Sequence, residues 1–177
     1  RIVLHWSANS VAAILDSHLT GPNNSTGRFH IYYNASTAVT GRYQDPDNFY
    51  YHTNAYQCNS CTPSQASDNV SLDRDDLDGA PGTETITVTK VRSGTYRYSV
   101  HDYTNRNNSS STKLAESGTT VNVFYNNTQT TYNVPNSAGN LWVVFTFDGS
   151  TGLLTASENM TAETNTDNIQ KICLFLA

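Results

Sequence analysis

Asp73, Asp75, Asp76 and Asp78 crowd one short stretch of the chain, and Glu84 opens the segment that follows it. Clusters of oxygen ligands suit Ca²⁺, which takes about six to eight of them, backbone carbonyls included. The EF-hand pattern is not met, because Leu77 stands where the fifth-position ligand belongs. A Ca²⁺ site and a solvated acidic turn are both open readings of this loop, and Ca²⁺ is the only cofactor expected. A second set, Asp16, His18, His30 and His101, joins one carboxylate to three imidazoles. Neutral imidazole is a common transition-metal ligand, and hydrogen-bonded histidines at or between sheets are the other reading. No Gly-x-Ser-x-Gly elbow, HExxH helix or phosphate loop occurs. A glycosidase-like carboxylate pair is disfavoured by the crowding of the acids in one loop. The expectation is therefore no enzyme and no catalytic residue.

These side chains must be positioned by strands. Ile86 and Val88 alternate with Thr85, Thr87 and Thr89, Ser93-Gly94 turns the chain, and Tyr96, Tyr98 and Val100 alternate with Arg97, Ser99 and His101. By the same period of two, strands are expected at 1–6, 11–20, 28–33, 84–91, 95–103, 119–125, 129–134, 140–147 and 151–155. Most are separated by turn chemistry such as Gly21-Pro22 or Asp148-Gly149. Asp16 and His18 then share a face opposite Leu15 and Leu19, and His101 lies opposite Val100. No helical period competes. The fold class is all-β: a single β-sandwich of jelly-roll or Ig-like type over residues 1–155, with a C-terminal extension strand.

Two segments fall outside the pattern. Residues 34–68 lack a sustained period but contain Tyr43, Phe49, Tyr50, Tyr51, Tyr56 and the Cys58-Asn-Ser-Cys61 run, and read as a flap over one sheet or as a ligand platform. After Thr155, residues 156–168 are polar and linker-like, and residues 169–177 are strongly apolar. Cys58, Cys61 and Cys173 leave an odd thiol and are expected to form a structural disulfide, pairing open, since no strand-then-helix context for a redox centre surrounds them.

The chain has 177 residues, a net charge of -5 and only 14% charged residues, which gives no electrostatic footprint for nucleic acid. No apolar run reaches the length of a membrane span. Arg1-Ile2-Val3-Leu4 reads as a strand, so an export signal is expected to have been removed. Eight N-x-[ST] sequons begin at Asn23, Asn24, Asn34, Asn69, Asn107, Asn108, Asn126 and Asn159. Chance placement gives about five. An extracellular, N-glycosylated surface is expected, and so are covalent glycans as partners.

Residues 72–103, together with DSHLTGP at 16–22 and RFHIYY at 28–33, resemble the YfaP-type domain of unknown function found in secreted and surface bacterial proteins. The resemblance implies a β-sandwich, and places Asp16 and His18 in its xDxH block and His101 in its YxVHD block. Its relatives commonly carry Asp-Leu-Asp where this chain has Ile14-Leu15-Asp16, so the first carboxylate is missing here. The resemblance ends near Thr155. In the apolar tail, Ile172, Leu174 and Leu176 fall on one face and Cys173 and Phe175 on the other, like a strand buried on both sides. Such a strand could complete the sheet of a neighbouring copy or fold back on its own domain. The leading expectation is a structural subunit of an extracellular fibre or surface layer, a homopolymer joined head to tail by strand donation. The alternative is an extracellular carbohydrate- or calcium-binding module.

Overall fold

The computed structural model describes residues 1–7, 12, 14–22, 28–33, 70–164 and 169. Their order is β1 (Ile2–Trp6), β2 (Leu15–Pro22), β3 (Arg28–Ile31), β4 (Val70–Arg74), β5 (Gly82–Val88), β6 (Thr95–Asp102), the one-turn helix α1 (Lys113–Glu116), β7 (Thr120–Tyr125), β8 (Thr128–Asn133), β9 (Leu141–Asp148) and β10 (Leu153–Thr161). They form two antiparallel five-stranded sheets: a first in the order β4-β5-β1-β7-β8, and a second in the order β10-β9-β6-β2-β3. This is the expected all-β sandwich, and it is not a closed barrel.

Alternation puts one apolar set from each sheet between them. Leu4, Trp6, Leu72, Ile86 and Val121 of the first sheet meet Leu15, Leu19, Ile31, Tyr98, Val100 and Phe145 of the second. Each large side chain so buried stabilises the fold by roughly 1.5–3 kcal/mol before ordering costs. Aromatic rings bridge the layers: Tyr132 stacks on Phe145 and Tyr125 meets Phe147 edge-on. Gly82 is required where β5 pairs with Trp6, because a Cβ there would lie 1.8 Å from the indole ring. Asn126 and Asn127 both have positive φ, the two-residue turn that joins β7 to β8.

Three departures from the expected pattern have physical reasons. β4 was not expected, because Val70–Arg74 is short and runs into the acidic loop, and its partner strand β5 is what makes it a strand. β10 continues to Thr161, beyond the Thr155 boundary where a polar linker was expected. It is an edge strand with mostly exposed side chains, held by its ladder to β9 rather than by an apolar face, and a bulge between Ala156 and Asn159 interrupts its register. The single turn of α1 is too short to leave a helical period. The loop at residues 34–68, Cys58, Cys61, Cys173, the sequons at Asn23, Asn24, Asn34 and Asn69, and the tail residues Ile172, Leu174, Phe175 and Leu176 lie outside the described residues. Asn107, Asn108, Asn126 and Asn159 are exposed.

Candidate metal centre

In the second sheet β2 lies between β6 and β3, with Asp16 opposite His101, His18 opposite Ser99 and His30 opposite Thr20. Leu15 and Leu19 point into the sandwich, so Asp16, His18, His30 and His101 share the other face of the sheet. That face is covered too: these four are between 0% and 5% exposed. The ring of Tyr32 stacks on both His18 and His30, with centroids 5.1 and 4.5 Å away, which fixes the planes of the two imidazoles.

Hydrogen bonding decides which nitrogens remain available. His101 Nε2 lies 3.0 Å from the carbonyl oxygen of Glu163. A carbonyl only accepts, so Nε2 carries the proton and Nδ1 presents a lone pair. His101 Nδ1 is buried without a hydrogen-bond partner. His18 Nδ1 lies 2.9 Å from His30 Nε2; with His18 Nδ1 as the donor, His18 Nε2 presents a lone pair, and it too is buried and unpartnered. Burial first, then the neighbouring His30 and His101, push the pKa of His18 well down; burial lowers that of His101 against the raising influence of the Glu163 carbonyl. Both rings stay neutral, the state in which imidazole binds metal. A ring that donates its far N–H to a carbonyl or a second ring is the arrangement that orients a metal-binding histidine.

Three carboxylates meet beside these rings. Glu84 lies on the inward face of β5, in phase with Ile86, and is 1% exposed. β3 ends opposite Leu19, and past that point Glu84 Oε2 accepts the Ser17 amide at 2.6 Å, tying the first sheet to the second. Asp75 turns inward from the β4–β5 loop to lie beside Glu84. Asp16 Oδ2, Asp75 Oδ1 and Glu84 Oε1 are all buried and reached by no N–H or hydroxyl donor, and Asp75 and Glu84 lie close enough to share a carboxyl proton. Burial first, then the charge of Asp75, raises the pKa of Asp16 well above the carboxylate range; burial first, then Asp16, does the same to Glu84; and burial raises Asp75. Without a cation Asp16 and Glu84 hold protons, because bare like charges are not tolerated so close together out of water.

Among the described residues, two sets have ligating atoms all within 4.8 Å of one another: Asp16, His18 and His101, and Asp16, Asp75 and Glu84. The remaining acidic residues of the loop are not part of either. Asp73 accepts hydrogen bonds from the hydroxyls of Ser71 and Thr87, and Asp76 accepts from the Thr83 and Asp78 amides and pairs with Arg74 at 2.8 Å. Asp78 is exposed. The five residues expected around one calcium ion thus divide, with only Asp75 and Glu84 turned inward. His30 supports His18 rather than joining the ligand sets. The sequence offered one unused signal, a charged Glu84 two residues before Ile86 and therefore in the phase of the core. The Glu163 carbonyl, a main-chain group, left no signal.

No family model, curated protein or solved structure matches the chain, so the likeness to the YfaP-type family rests on its sequence blocks alone.

Proposed function

We propose that this chain is a non-enzymatic β-sandwich module stabilised by a divalent transition-metal ion held by Asp16, His18 and His101. One observation carries the reading: two imidazole nitrogens and a carboxylate oxygen, all buried and without a donor or acceptor, lie within reach of one another. Leaving such groups unsatisfied costs about 1–3 kcal/mol each, a cost that a shared ion removes. Nitrogen ligands favour an ion such as Zn²⁺ over Ca²⁺. Three protein ligands leave a fourth position open, and because the ligand atoms are buried from solvent that position is closed to substrate, which suits a structural ion. Metal-stripped protein titrated with Zn²⁺ is expected to bind it and melt at a higher temperature, and His101→Ala to bind at least tenfold more weakly. A wild-type chain that takes up no Zn²⁺ overturns the proposal.

A second reading keeps the expected assembly: an extracellular, N-glycosylated fibre subunit that receives residues 169–177 of a neighbouring copy. It is favoured by an apolar groove of about 290 Å³ between the sheets, lined by Ile2, Val88, Val91, Val123, Phe147 and Leu154. The exposed sequons at Asn107, Asn108, Asn126 and Asn159 are compatible with glycans. Deleting residues 169–177 is expected to abolish polymers and leave a folded monomer; filaments from the truncated chain would exclude this reading.

A further inference from the structure

We infer that Asp16 bridges two metal ions, the second held by Asp16, Asp75 and Glu84 and of the oxygen-preferring class to which Mn²⁺ belongs. This rests on the metal-binding reading above and extends it.

The two ligand sets share Asp16 alone, and the five residues do not form a single set of that size. Ligands around one octahedral ion lie at most about twice the metal–ligand distance apart, so five groups spread beyond that limit call for two centres. A carboxylate has two oxygens and can give one to each of two ions about 3.5–4 Å apart. The ligand types differ as well: two nitrogens and one oxygen on one side, three carboxylates on the other. Nitrogen suits Zn²⁺, and oxygen alone suits Mn²⁺, Mg²⁺ or Ca²⁺.

Charge leads to the same arrangement. A single divalent ion beside the imidazoles is adjacent to Asp16 and leaves the Asp75 and Glu84 carboxyls facing each other, satisfied only by sharing a proton. A second ion compensates both. The Ser17 amide on Glu84 Oε2 holds that carboxylate so that Oε1 is the oxygen left for it.

The test uses the full chain, stripped with chelator, given one equivalent of Zn²⁺ and then titrated with Mn²⁺. Bound Mn²⁺ is followed by loss of the free-ion electron paramagnetic resonance signal, and both metals are counted by elemental analysis after desalting. One Zn²⁺ and one Mn²⁺ per chain are expected. Glu84→Gln and Asp75→Asn should each keep Zn²⁺ and weaken Mn²⁺ binding at least tenfold, whereas His101→Ala should weaken Zn²⁺. If Glu84→Gln fails to fold by circular dichroism, the partly exposed Asp75→Asn decides. A wild-type chain that keeps Zn²⁺ while Mn²⁺ stays free, or that binds Mn²⁺ only as Zn²⁺ is released, overturns the bridge and leaves the single-ion proposal standing. A chain that retains neither metal overturns both.

Discussion

Two groups of carboxylates lie a few residues apart and have opposite fates. Asp73 and Asp76 are fully engaged: hydroxyls, amides and a guanidinium are arranged around them, as in any well-made acidic turn. Asp16, Asp75 and Glu84 are drawn inward and each keeps a buried oxygen that no N–H or hydroxyl donor reaches. The difference teaches that crowding of acids along a chain measures little. What marks a cation site is an unmet valence in a place where water cannot meet it.

The largest effect should come from Asp16, the member of the inner group that shares the proposed Zn²⁺ site with His18 and His101. Zn²⁺ at about a hundredfold excess over its Kd should add about 2.7 kcal/mol, raising the melting temperature of a chain of this size by about 5–10 °C in calorimetry. Identical curves with and without metal would erase the distinction between the two groups. Next, Asp76→Ala should cost about 1–3 kcal/mol by leaving the Thr83 and Asp78 amides and Arg74 without their acceptor, and should not change metal affinity. A loss of metal binding on this substitution would place the outer group in the site.

The third test is a pH dependence in the presence of chelator. The folded-state pKa of Glu84 is raised above its ordinary 4.5, so its contribution is complete below that value and is lost as pH rises through the folded value. His18 and His101 act in the opposite sense, since their lowered values make the fold lose stability as pH falls below 6.5. Comparing wild type with Glu84→Gln isolates the carboxyl. The balance of stability should move towards the variant as pH rises above 4.5, by at most about 1.4 kcal/mol per pH unit. A constant difference across the range would mean that Glu84 is not held protonated in the metal-free chain. The smallest effect is expected for Asp73→Asn, within about 1 kcal/mol in denaturant melts, because an amide oxygen still accepts from Ser71 or Thr87.

Much of the fold was legible because apolar residues at period two mark inward faces: Tyr96, Tyr98 and Val100 are buried as their spacing implies. Of the strands that escaped, β4 offers only Val70 and Leu72 before the acidic loop begins, and the far half of β10 is mostly polar and takes its structure from its ladder to β9. The polar set of Asp16, His18, His30 and His101 was legible as one face, because alternation is a local property and the register Asp16 to His101 follows from pairing. Its junction with Asp75 and Glu84 was not, since that depends on where β3 stops and how one sheet overlies the other. Sequence distance grouped Glu84 with the loop acids. Space groups it with a residue 68 positions earlier.

The acceptor that sets the proton of His101 belongs to Glu163, two residues past the end of β10, where the chain is also pinned by Asn140 through its side-chain oxygen to the Glu163 amide at 2.7 Å. Anything that peels the chain away at Glu163 would free His101 to change tautomer while the ladder of β9 and β10 is still intact, and an ion held as proposed would lose the group that orients one of its ligands.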